Sequence, residues 1–112
     1  MNESRAHPRY ALEIDAEIRC EGETIPARTR NISRDGLSIV TERAVPVGPE
    51  VTIAIALVFA GEAMSESLPL RGRAVWCTSL GAGAYQIGVS FVGLTSDERS
   101  YVDLFLRYLE DQ

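Results

Sequence analysis

The sequence predicts an all-β domain finished by one C-terminal α-helix. Three observations carry this prediction. About six separate stretches read as strands, most of them alternating apolar and polar residues with period two as half-buried strands require. Clusters rich in Gly, Pro, Asn, Asp and Ser separate those stretches at short intervals, which favours a barrel or a sandwich. After Thr95 the apolar period lengthens to that of a helix.

The elements follow in order. Residues 1–9 read as an arm, because Pro8 removes a donor and pushes His7 towards extended backbone, and nothing apolar anchors the stretch. Leu12, Ile14, Ala16 and Ile18 then alternate with Glu13, Asp15, Glu17 and Arg19, a first strand. Glu21-Gly22-Glu23 makes a turn. Residues 24–32 form a second strand, with Pro26 near its start, where a lost donor is tolerated. Ser33-Arg34-Asp35-Gly36 breaks it, and residues 37–41 form a third. Pro46, Gly48 and Pro49 mark a loop. Residues 51–59 are apolar on both faces and β-branched, which predicts a central strand. Residues 61–67 are a loop. A fifth strand over 68–78 puts Arg71 and Arg73 opposite Leu70 and Trp76. Gly81-Ala82-Gly83 turns into a sixth, with Tyr85, Ile87, Val89 and Phe91 inward. Thr95 and Glu98 have the spacing of a capping box, and Val102, Phe105, Leu106 and Leu109 give one apolar stripe.

Composition bounds the function. With 112 residues there is room for one core, so residues 10–112 are read as a single domain behind the arm. The net charge of −5 argues against long nucleic acid, whose binding needs many cationic contacts. All eleven basic residues are arginine, whose planar fork grips phosphates and guanine edges. The longest apolar run, 51–60, is shorter than the roughly 20 residues of a membrane helix, and no signal peptide is recognisable. Direct membrane insertion is not expected, and a cytoplasmic location is. Cys20 and Cys77 lack metal or redox spacing and are expected as free thiols. One histidine, His7, supplies no acid–base set, so an enzyme is not expected, nor a metal or cofactor.

Two clusters remain. Arg5 and Arg9 stand four apart on the arm; extended, their Cα atoms lie ~13 Å apart, the scale of a compact dinucleotide. Asn31-Ile32-Ser33-Arg34-Asp35-Gly36 ends a strand. Asn31 and Ser33, two apart, are expected on one face, and Gly36 is expected to supply positive φ or room for a ligand.

Together these residues resemble the PilZ family, whose signature is R-x-x-x-R in an N-terminal arm followed, after a strand, by [D/N]-x-S-x-x-G. Here those are Arg5 and Arg9, then Asn31, Ser33 and Gly36. Gly72-Arg73-Ala74-Val75-Trp76 and Gly88-Val89-Ser90-Phe91-Val92 look like later strands of the family. The resemblance implies a six-stranded antiparallel β-barrel with a C-terminal α-helix that binds cyclic di-GMP and orders its arm on the ligand. It implies that Arg5 and Arg9 hold phosphates or guanines, that Asn31 accepts from guanine N–H groups, that Ser33 bonds a guanine or phosphate, and that Gly36 leaves room. Trp76 either lays its ring beside a guanine or is a core or rim aromatic. Arg28, Arg30, Arg71 and Arg73 either add positive potential or are strand arginines balanced by Glu13 and Glu17. A protein effector is the expected reader. The alternative within the family is an interaction module with little or no nucleotide binding.

Overall fold

A computed structural model describes residues 9–56 and 67–111. Seven strands and one helix follow in chain order: β1 Tyr10–Ala11, β2 Asp15–Cys20, β3 Glu23–Ile32, β4 Gly36–Thr41, β5 Glu50–Ala56, β6 Ser67–Gly81, β7 Ala84–Phe91 and α1 Ser96–Glu110. All strand pairs are antiparallel, in the order β1-β3-β2-β5-β6-β7-β4. Pairing of β3 with β4 closes the ring, so β2 to β7 make a six-stranded barrel and β1 is an extra strand on its wall. Closure leaves most strands without a free edge.

The core follows the alternation. Ile18, Ile39, Ile53, Leu70 and Ile87 are fully buried inside the barrel. Glu21 and Gly22, at φ 53° and 83°, make the tight turn from β2 to β3. The helix starts on a complete capping box: Thr95 Oγ1 accepts from the Glu98 N–H at 3.1 Å, and the Glu98 carboxylate accepts from the Thr95 N–H at 2.8 Å. Val102 and Phe105 of α1 are buried in the same apolar cluster as the barrel interior, with Leu106 and Leu109 packed against it. No helix among the described residues is long and apolar enough to cross a membrane. Cys20 is buried and Cys77 half-buried, both as free thiols. Burial, with Glu21 and Glu23 adding to it, holds the Cys20 thiol above its ordinary pKa.

Three departures from simple alternation matter. The first expected strand is broken: Leu12, Glu13 and Ile14 lie between β1 and β2. The cause is Thr29, whose buried hydroxyl donates to the Leu12 carbonyl at 2.6 Å and accepts from the Ile14 N–H at 2.9 Å. A side chain there does what a neighbouring strand's backbone would do. Opposite β4 the register slips between Thr29 and Asn31, a bulge that leaves Arg30 as the extra residue. A second bulge lies between Ala74 and Trp76, with Val75 extra. It turns the indole outward: Leu70 is fully buried, whereas Trp76 is 39% exposed, so the two do not share a face as strict period two predicts. The expected loop over 61–67 and the far end of the strand expected over 51–59 fall largely outside the described residues.

Candidate ligand-binding site

The two bulges aim the site. Inside β3 the inward positions run Ile25, Ala27, Thr29. The extra residue resets the count, so Ile32 turns inward and is buried, while Asn31 stays half-exposed on the outer wall. There the Arg9 guanidinium donates to Asn31 Oδ1 at 2.6 Å. A guanidinium carries five N–H donors, so one bond to Asn31 leaves others for an anion or a guanine edge. Tyr10, the next residue, pairs with Ile32 and donates its phenol hydroxyl to Glu110 of α1 at 3.4 Å. Burial, then the Glu110 carboxylate, raises the Tyr10 pKa above its ordinary value. The root of the arm is thus tied to both the barrel and the helix.

The turn after β3 is built around Ser33, which is buried. Its N–H donates to the Gly36 carbonyl at 2.8 Å, and its hydroxyl accepts from the Asp35 N–H at 3.2 Å. β3 ends at Ile32, so alternation does not extend to Ser33; Asn31 meets Arg9 while the Ser33 hydroxyl faces into its own turn. Gly36 also has a reason beyond those expected. It is not among the residues at positive φ, and a Cβ there would lie 2.1 Å from the Val89 carbonyl oxygen of β7. The glycine makes room for the barrel wall. The turn is clamped from below by α1: Arg34 pairs with both carboxylate oxygens of Asp103 at 3.1 and 3.4 Å, and Arg99 donates to the Arg34 carbonyl.

A cleft of about 110 Å³ opens on the outer wall here, lined by Arg9, Asp35, Gly36, Trp76, Gly88 and Ser90 among others. It joins an arginine fork, a carboxylate, a serine hydroxyl and an exposed indole. Such a set suits a ligand with negative charge, a hydrogen-bonding edge and an aromatic plane. Of the six expected site residues, Arg9, Gly36 and Trp76 line this cleft; Asn31 bonds to Arg9, Ser33 bonds to Asp35 and Gly36 in the turn beside it, and Arg5 lies outside the described residues. The sequence reading missed Asp35, Gly88 and Ser90 as cleft residues. Their signal was faint: Ser90 and Gly88 reach the outer wall by ordinary alternation on β7, but which strand lies beside the arm is a matter of topology. Three of the four further arginines are engaged elsewhere. Arg28 pairs with Asp15 at 2.7 Å, Arg71 donates to the Gly93 carbonyl, and Arg73 donates to the Gly48 carbonyl at 2.6 Å.

Several solved structures share the fold. MotI (DgrA), an inhibitor of motility from Bacillus subtilis, superposes at a TM-score of 0.77 with 15% identity, over 99% of this chain and 54% of that one. This chain thus spans about half of MotI. The PilZ domain of YcgR from Escherichia coli, solved with c-di-GMP, gives a TM-score of 0.74 at 12% identity, covering 97% and 93%. PlzA of Borreliella burgdorferi, also in complex with c-di-GMP, gives 0.64 at 15% identity, covering 95% and 41%. At these identities the likeness shows the fold. No curated protein sequence matches the chain. A family model described as the PilZ domain matches residues 3–109, nearly the whole chain. This protein belongs to the PilZ domain family.

Proposed function

We propose that this chain is a receptor for cyclic di-GMP rather than an enzyme. The observation that carries the reading is the meeting of Arg9, held by Asn31, with Trp76 in one outward cleft, although the three lie on separate segments of the sequence. Family membership supports it, as do two relatives of the same fold solved with c-di-GMP. On this reading Arg5 and Arg9 take the phosphates or the guanine O6 and N7 atoms, since their forks match either group bidentately. Asn31 accepts from guanine N–H groups and keeps Arg9 in place. Ser33 acts by fixing the turn and by offering its remaining hydrogen-bonding capacity. Gly36 keeps the wall beside the ligand flat, and the Trp76 indole stacks against a base.

Residues 1–9 form the ligand-binding arm and residues 10–112 the domain that carries it. The ligand orders the arm across the barrel, and the new surface is read by a protein effector. This is an order–disorder switch, operating in the cytoplasm. The ligand is a messenger, not a resident cofactor.

Calorimetric titration with cyclic di-GMP, beside cyclic di-AMP and GTP, tests the proposal. Saturable binding of cyclic di-GMP in preference to the other two is expected. No binding of any of the three contradicts it and leaves the protein-interaction module as the reading.

A further inference from the structure

Gly88 on β7 stands directly across from Trp76 on β6. It belongs to the outer wall, yet it is buried, as is Ser38, its partner on β4, whereas the next outward residues of β7, Gln86 and Ser90, are half-exposed. The cover is the Trp76 ring. A Cβ built on Gly88 would lie 2.2 Å from Trp76 Cε2, 2.3 Å from Nε1 and 2.7 Å from Cζ2. Real carbon contacts do not come so close, so any side chain at 88 must displace the indole. A cross-strand aromatic lying over a bare glycine backbone is a recognised way of holding an aromatic in one position on a sheet. The bulge at Val75 completes the arrangement, because without the extra residue the indole would point into the barrel. Both Trp76 and Gly88 line the cleft that contains Arg9.

We infer that Gly88 is a positioning residue for ligand binding: it seats the Trp76 indole on the barrel wall as a fixed platform for a purine base, within the Arg9 cleft. The inference rests on the reading of the cleft as a cyclic di-GMP site and adds to it what makes the platform rigid. A ring held in place before the ligand arrives loses little freedom on stacking, so its contribution to affinity is kept. A ring pushed off its seat still exists but no longer lies where the base arrives.

The test is a double-mutant cycle on affinity for cyclic di-GMP, with Gly88→Ala, Trp76→Ala and both together. Stacking of one base on an aromatic corresponds to about five- to a hundredfold in affinity. Gly88→Ala in the wild-type background is expected to weaken binding within that range, and Trp76→Ala to a similar extent. In the Trp76→Ala background, Gly88→Ala is expected to do nothing more, because no ring remains to be displaced. The chain has a single tryptophan, so its fluorescence gives a second readout. Ligand should change the wild-type emission, and Gly88→Ala should shift the emission maximum even without ligand. Equal losses from Gly88→Ala in both backgrounds would show that the glycine acts on the strand itself and overturn the inference. Unchanged affinity in Gly88→Ala overturns it equally. If Gly88→Ala fails to fold, Trp76→Ala decides alone: full affinity without the indole removes the platform. A wild-type chain that binds no cyclic di-GMP sinks the receptor reading and this inference together, whereas wild-type binding indifferent to both residues sinks only this one.

Discussion

Arg9 and Asn31 lie 22 residues apart and meet at 2.6 Å on the outer wall. Truncating Arg9 removes a charged fork from the cleft but no core contact. Arg9→Ala should therefore cost about 1.5–3 kcal/mol of ligand binding, or roughly ten- to a hundredfold, with little change in melting temperature; calorimetry and a thermal melt check the two halves. Asn31→Ala removes a neutral bond and the tether of Arg9, so its loss should be smaller. Asn31→Asp turns that tether into an ion pair and should bind at least as tightly. Ser33 and Gly36 behave oppositely. Each serves the turn or the wall, so their cost appears in stability. Ser33→Ala removes the acceptor that the hydroxyl offers the Asp35 N–H and should lower stability by about 1 kcal/mol. Gly36→Ala drives a methyl into the Val89 carbonyl and should cost about 1–3 kcal/mol, seen in denaturant melts. The identities of these residues were legible in the sequence; their division of labour was not. Spacing alone put Asn31 and Ser33 on one face, but a strand that ends at Ile32 cannot carry the alternation further.

At the scale of elements, two bulges and one helix set the site. Neither bulge leaves a mark in the sequence. Arg30 and Val75 are ordinary strand residues, and the slips arise from pairing with β4 and β7 that closure of the ring imposes. That is why the period-two reading put Trp76 with Leu70, and why the first strand was expected to be unbroken where the Thr29 hydroxyl interrupts it. The helix was legible in full, because its cap and its stripe are local features. Its coupling to the turn was not. Arg34 and Asp103, 69 residues apart, tie the turn after β3 to α1, and Arg99 adds a bond to the Arg34 carbonyl. The Arg34–Asp103 pair is partly exposed, so Asp103→Asn should lower global stability by no more than about 1 kcal/mol. Its local effect should be larger: hydrogen exchange in the 33–36 turn should quicken, and ligand affinity should fall a few-fold. Thr95→Ala, which removes the cap but lies outside the cleft, should cost about 1 kcal/mol of stability and leave affinity unchanged.

For the whole molecule, the barrel is a rigid frame that brings three segments to one place on its outer wall. The core of Ile18, Ile39, Ile53, Leu70 and Ile87 fixes the wall, and the arm root is fastened to it through β1 and to α1 through Tyr10. The barrel was legible because each strand buries one face; its closure by β3 and β4 had to come from the family resemblance, since strand order has no local signal. Ligand binding on this frame should protect amides of the arm from hydrogen exchange and leave those around Phe105 unchanged, because Phe105 is already 2% exposed. The central claim is that Arg9, Asn31 and Trp76 form one ligand site. With a single tryptophan in the chain, the indole N–H gives one assignable nitrogen–proton signal. Titrating the isotope-labelled protein with cyclic di-GMP should shift that signal and the Asn31 side-chain amide together, to saturation, and Arg9→Ala should abolish both shifts at the same ligand concentration. Signals from Trp76 and Asn31 that stay in place at saturating ligand, while residues elsewhere on the barrel move or nothing moves at all, would contradict the account.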